Sequence, residues 1–165
     1  MTSHQKLSRI CGESYQESSF EEANIEVLVQ GNVFAFRGTD EPKDAIRDIR
    51  ILPLWTRDHK SIELTGHSLG GAVALIVGAL MVRDEIPPKQ IVTFGAPRCG
   101  RLKILDTVPV TQYRHGKDIV PVLGMCRRHN KLVEFGERES AIKDHYMLNY
   151  VKMKKLPEVT CPPNS

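Results

Sequence analysis

Ser68 stands in Gly66-His67-Ser68-Leu69-Gly70, with apolar Ile62 and Leu64 before it and a run of small and apolar residues from Gly70 onward. A serine two residues from glycine on either side, after a strand and before a helix, fits a strained turn that lifts a hydroxyl clear of a sheet edge. A side chain at Gly66 or Gly70 would collide with the neighbouring strand or helix. The N–H groups that open the helix face the same space and can meet a developing oxyanion. The chemistry such a turn can serve is nucleophilic attack on a carbonyl. For that, the hydroxyl needs a base to take its proton, and the base needs an acid to orient it.

In hydrolases with this turn the chain order is serine, then acid, then histidine. Asp84 and Glu85 follow the helix after Ser68, on the wrong side of a sheet. Asp106 precedes the Val110 strand and sits at its amino end. Asp118 follows that strand, on the edge that carries Ser68, so geometry selects Asp118 as the acid. Two histidines come later. His129 lies in the basic stretch Arg127 to Lys131, whereas His145 lies between the last strand and the last helix, where a loop can return it to the site. His145 is the preferred base. His67, beside the serine, is expected to point elsewhere and pack, and His115 precedes the acid and breaks the order. The backbone N–H of Leu69 is one oxyanion donor. The second should come from a loop after an earlier strand, and Gly38-Thr39 is the turn of that kind.

The elements that must position these groups follow from pattern. His4 to Tyr15 forms a helix with Leu7, Ile10 and Cys11 on one face. Ser14 to Asn24 reads as a loop. Ile25 to Val29 and Val33 to Phe36 read as a hairpin around Gln30-Gly31-Asn32. Asp44 to Leu52 carries a weak helical pattern, and Lys60 to Thr65 is the strand before the serine. Leu69 to Arg83 is apolar nearly all round and is expected to be buried on most sides until Pro87-Pro88 ends it. Ile91 to Phe94, Val110 to Arg114 and Leu132 to Phe135 are short strands, and Asp144 to Leu156 is a final helix. The alternation of β and α predicts an α/β fold: a mainly parallel sheet, an N-terminal antiparallel hairpin and flanking helices. Residues 1–156 form one domain, with a frayed tail at 157–165.

Composition narrows the partners. A chain of 165 residues with 41% hydrophobic and 26% charged residues is an ordinary globular domain. Its net charge of +3 is too small for a nucleic-acid partner. Arg127-Arg128 and Lys152, Lys154 and Lys155 read as solvated faces, with peripheral contact to anionic headgroups as the most they offer a membrane. Met1 to Tyr15 has no apolar signal region and no apolar run spans a bilayer, so the expectation is cytoplasmic, with reduced thiols. Cys11, Cys99, Cys126 and Cys161 show no metal-ligand spacing.

The chain also resembles a known family, the class 3 (fungal-lipase-like) lipases among the α/β-hydrolases. The resemblance rests on F-R-G-T-D at Phe36 to Asp40, T-G-H-S-L-G-G-A at Thr65 to Ala72, T-F-G-A-P-R at Thr93 to Arg98, Y-R-H-G-K-D-I-V-P at Tyr113 to Pro121 and D-H-Y-M-L-N-Y at Asp144 to Tyr150. It implies an α/β-hydrolase fold and hydrolysis of carboxylic, above all lipid acyl, esters through an acyl-serine. It puts the nucleophile on Ser68, the acid on Asp118 and the base on His145, with oxyanion donors at Thr39 and Leu69. It also implies that Asp48 supports the Thr39 hydroxyl. No metal or cofactor is implied, and the partner is a lipid or small ester.

One departure stands out. Between the Arg-Gly-Thr turn and the strand before Ser68, only Asp40 to Lys60 is available for what is a lid and a long crossover helix in the family. An apolar sheet face left bare by that shortening would need covering, for instance by a second copy of the chain. Ile46, Ile49, Ile51 and Leu54 could line an acyl groove, serve as a minimal lid, or be core. The shortening also motivates a rival reading: a catalytically impaired relative that acts as a lipid-binding or interaction module.

Overall fold

The computed structural model describes residues 3–17, 20–22, 25–38, 61–124 and 132–152. Seven strands form one sheet in sequence order: β1 (Phe20–Glu22), β2 (Ile25–Gln30), β3 (Val33–Phe36), β4 (Glu63–His67), β5 (Gln90–Phe94), β6 (Val110–His115) and β7 (Leu132–Phe135). β1, β2 and β3 pair antiparallel, and β3 to β7 run parallel. Among the described residues the α-helices are α1 (Ser3–Glu13), α2 (Leu69–Arg83) and α3 (Met147–Val151).

Strand alternation divides the core into two layers. Phe34 and Phe36 of β3, Leu64 of β4 and Ile91 of β5 pack with Val73, Val77 and Met81 of α2. Val33 and Ala35, Val92 and Phe94, and Tyr113 turn the other way, onto Leu7, Ile10 and Cys11 of α1 and Tyr150 of α3. The face of α1 read from its spacing is therefore the face that is buried. Each fully buried large side chain contributes roughly 1.5–3 kcal/mol, so neither layer is optional. Ser8 Oγ donates to the Tyr150 carbonyl at 2.8 Å and ties α1 to α3.

β3 and β4 are buried along their whole length and β5 along nearly all of it. α2 packs on one face of these strands and α1 and α3 pack on the other. The 39–60 connection itself, with the helix expected at Asp44 to Leu52, lies outside the described residues, as do Ile46, Ile49, Ile51 and Leu54 and the tail at 157–165.

Three details differ from the sequence expectations. The loop expected over Ser14 to Asn24 contains β1, a three-residue edge strand whose Phe-Glu-Glu sequence has too little apolar alternation to announce it. β4 begins later and ends later than Lys60 to Thr65, because its pairing with β5 continues to His67 opposite Phe94. α2 keeps the expected bounds, Leu69–Arg83, and beyond it Glu85 takes a left-handed conformation (φ 63°) while the Ile86 N–H reaches back to the Met81 carbonyl. The helix expected over Asp144 to Leu156 is broken into a 3₁₀ turn at Lys143–His145, an extended Tyr146, and α3. No helix among the described residues is long and apolar enough to cross a membrane.

Candidate active site

Ser68 lies between the end of β4 and the first residue of α2. Its φ of 54° and ψ of −131° put a non-glycine residue in a strained region of backbone space. Both glycines flanking it are sterically required. A Cβ at Gly66 would fall on the Gly70 carbonyl, and a Cβ at Gly70 would fall on the Phe36 carbonyl. The Ser68 N–H is held by the Phe94 carbonyl at 3.0 Å, which anchors the turn to β5. Leu69 opens α2, and the first N–H groups of a helix have no acceptor within it.

Parallel register brings the other groups to the same edge. β4 and β5 end side by side at His67 and Phe94, opposite Tyr113 of β6, which runs on to His115. The chain leaving β6 turns at Gly116 and places Asp118 there, fully buried. Asp118 Oδ1 accepts the Val120 N–H at 2.9 Å, and Oδ2 accepts the Tyr150 hydroxyl at 2.6 Å. His145 Nδ1 lies 3.0 and 2.9 Å from the two carboxylate oxygens, so Nδ1 carries the proton and donates it. That leaves Nε2 as an acceptor, 3.0 Å from Ser68 Oγ. The row from hydroxyl to imidazole to carboxylate is continuous.

His145 has no strand or long helix to carry it. Its position comes from Asp144, which is buried and accepts N–H bonds at Oδ2 from Lys117 (2.7 Å), Glu139 (3.1 Å) and Ser140 (3.2 Å). These bonds close the 137–145 loop back onto the turn after β6. Burial works to raise the Asp144 carboxyl, but the three N–H donors and nearby His115 bring it below the usual carboxylate range.

The remaining predicted residues fall as follows. Gly38 passes beside the nucleophile: a Cβ there would lie 3.1 Å from Ser68 Cβ and 2.7 Å from the Tyr15 hydroxyl. Thr39 and Asp48, the expected second oxyanion donor and its support, lie outside the described residues, and so does His129. His115 does not enter the row; its ring packs on Phe135 and its N–H bonds the Tyr150 hydroxyl at 3.1 Å.

Two neighbours of the row, Tyr150 and Gly95, were not read from the sequence. Tyr150 holds Asp118; burial, and then the Asp118 charge, push its phenol well above the usual range, so it keeps its proton, donating to Asp118 while accepting the His115 backbone N–H. Gly95 (φ 61°) closes β5 under the pair: a Cβ there would lie 2.7 Å from Asp118 Oδ2 and 3.1 Å from His145 Nδ1. His67 packs, as expected, but against His145 itself. The signal for Gly95 was available in principle, since it ends the strand between those carrying Ser68 and Asp118. Tyr150 had no such signal.

Ser68 opens onto a groove lined by Tyr15, Arg37, Gly38, Tyr146 and Leu148. Tyr146 and Leu148 are largely exposed there.

Comparison with known proteins shows what the chain is similar to. Residues 51–128 match the sequence profile of lipase (class 3), a span that holds Ser68 and Asp118 but not His145. The chain is 31% identical over 112 residues to the chloroplastic phospholipase A1 PLIP1 of Arabidopsis thaliana, which covers 61% of this chain and 17% of that protein. It is 42% identical over 65 residues to secreted mono- and diacylglycerol lipase 1 of Fusarium solani, covering 36% and 19% respectively. Across the curated relatives it matches, the chain spans only 15% to 21% of their length. Its fold is similar to the crystal structure of the Lip2 lipase of Yarrowia lipolytica, with a TM-score of 0.56 at 18% identity over 79% of this chain and 77% of that one. The mainly parallel sheet, the strained serine turn and these matches together make the chain similar to the class 3 lipases, with a fold of the α/β-hydrolase kind.

Proposed function

We propose that this chain hydrolyses carboxylic esters of lipid acyl groups through an acyl-serine intermediate. The observation that carries the reading is the row of Ser68 Oγ, His145 Nε2 at 3.0 Å and a buried Asp118 carboxylate at 2.9 Å from Nδ1. In the reaction, Ser68 Oγ attacks the ester carbonyl while His145 Nε2 takes its proton. The imidazolium so formed is stabilised by Asp118. The Leu69 N–H and Thr39 meet the tetrahedral oxyanion, a contribution typically of about 2.7–4 kcal/mol per donor. His145 gives its proton to the leaving alcohol oxygen, and the acyl group stays on Ser68. Water, deprotonated by His145, then attacks the acyl-serine and releases the free acid.

The substrate class is supported by the names of the relatives and by the exposed Tyr146 and Leu148 beside Ser68. An acyl chain gains roughly 0.8 kcal/mol per buried CH₂, so the length dependence of the rate measures how much groove is present. The test uses p-nitrophenyl esters of short and long acyl chains with the wild-type chain and Ser68→Ala. Hydrolysis that disappears in the variant supports the reading, and unchanged hydrolysis overturns it. Rates on triacylglycerol, phosphatidylcholine and soluble esters then separate triacylglycerol lipase, phospholipase A1 and esterase. The rival binding module predicts no labelling of Ser68 by a fluorophosphonate; a hydrogen-bonded Ser68 and His145 favour labelling.

A further inference from the structure

His67 is bonded at both ring nitrogens. Its Nε2 lies 2.7 Å from the backbone carbonyl oxygen of His145, and its Nδ1 lies 2.6 Å from the Tyr15 hydroxyl. A carbonyl can only accept, so Nε2 carries a hydrogen. The groups facing the ring come from every element around it. Tyr15 comes from the turn after α1 and Tyr150 from α3, with His145 stacked on it at 4.6 Å and 29°. The Asp118 carboxylate lies just beyond His145.

Burial, helped by the neighbouring His145, pushes the His67 imidazole down to about 3, against a smaller opposing pull from the His145 carbonyl and Asp118. The ring is therefore neutral, with Nδ1 as the acceptor and the Tyr15 O–H as its donor. That fixes the tautomer. It also matters for the chemistry, because the stacked partner is the ring that becomes an imidazolium. A neutral ring against it adds no repulsion, whereas a charged one would oppose the proton transfer.

The geometry points to His67 as a positioning residue for His145: its Nε2–H on the His145 carbonyl and its ring against the His145 imidazole, both set by the Tyr15 hydroxyl, hold His145 Nε2 on Ser68. The need is specific. His145 sits in a three-residue 3₁₀ turn, where its N–H bonds the Ile142 carbonyl at 3.0 Å but no strand or longer helix carries it. The Asp118 bond fixes one edge of the imidazole but not the carbonyl side of the residue. His67 supplies that second point of attachment from the rigid end of β4, one residue from the nucleophile it serves. The base and the nucleophile are then referenced to the same strand. This inference rests on the hydrolase reading, since a positioned base has meaning only if Ser68 reacts.

The experiment compares wild type, Ser68→Ala, His67→Phe, His67→Gln and Tyr15→Phe on p-nitrophenyl butyrate, with thermal unfolding of each. Phe keeps a ring against His145 and removes the donor; Gln keeps a donor without the imidazole. Loss of one such bond is expected to lower kcat about tenfold in His67→Phe, with KM within about twofold. His67→Gln should recover most of that loss, and Tyr15→Phe should fall between. In wild type, ¹⁵N NMR should show His67 as the neutral Nε2–H tautomer with no titration between about pH 5 and 8. A folded His67→Phe with unchanged kcat overturns the inference, and so does an Nδ1–H tautomer or a titrating His67. The NMR measurement decides even if a His67 variant does not fold. Hydrolysis that survives Ser68→Ala overturns the hydrolase reading instead, and the two failures are told apart.

Discussion

The Tyr150 hydroxyl donates a 2.6 Å hydrogen bond to Asp118 Oδ2, the same carboxylate oxygen that lies 2.9 Å from His145 Nδ1. The phenol and the imidazole therefore share one acceptor on a fully buried carboxylate. Tyr150→Phe removes a donor to a buried charge and leaves the His115 N–H without its acceptor. The expected cost is about 1.5–3 kcal/mol of stability, read as a fall in the urea midpoint. Ester hydrolysis should also slow, because Asp118 loses one of the bonds that hold it square to His145.

Gly95→Ala tests the floor of the site. The new Cβ would press on Asp118 Oδ2 and on His145 Cε1 and Nδ1, at a residue whose φ of 61° favours glycine. Neither partner can retreat, since Asp118 is fully buried and bonded on both oxygens. A displacement of the pair by even a fraction of an ångström should lower kcat by up to about a hundredfold. Steady-state kinetics on a soluble ester, with circular dichroism to verify folding, provide the measurement.

Asp144 predicts a response to acid. Its carboxyl is held below the usual range, so its contribution to stability is complete above the unfolded-state value of 3.8 and is lost as pH falls through the lower folded value. Asp144→Asn removes the titration. Unfolding by urea at a series of pH values should show the wild type losing more stability than the variant below about pH 4. The variant should start lower at neutral pH, since three N–H groups lose a charged acceptor.

His67 predicts a second acid response at higher pH. Its folded value of about 3 lies below the unfolded 6.5, so between those values the unfolded chain binds the extra proton. Stability is complete above 6.5 and declines toward pH 3, at a limiting slope of about 1.4 kcal/mol per pH unit. His67→Gln should flatten that decline in the same urea series. A wild-type curve that is level from pH 6.5 to 4.5 contradicts the buried neutral assignment.

How much of this was legible in the chain depends on range. The hairpin, α1, α2 and the strand-to-helix turn are local patterns, and each appears within a residue or two of where spacing put it. Asp118 could be chosen over Asp106 because an element's direction assigns its two ends to opposite edges of a parallel sheet. Asp144 shows where local reading fails. Helical spacing runs on through Met147, Leu148 and Val151, yet the Asp144 carboxylate gathers N–H groups from residues 117, 139 and 140, and that gathering breaks the helix at Tyr146. The competing bonds come from a different part of the chain, so no window around residue 144 contains them.

By itself the sequence determined the fold class, the strained serine turn and the order in which acid and base follow it. All three depend on backbone sterics and on periodicity, which neighbours along the chain impose. Only the tertiary structure decided that α1 and α3 cover the second sheet face, and that Tyr150, Gly95 and His67 surround the Asp118–His145 pair. Those are contacts between side chains far apart in sequence, brought together by strand register and by the packing of α1 and α3 on the sheet, and register is settled only when the strands pair.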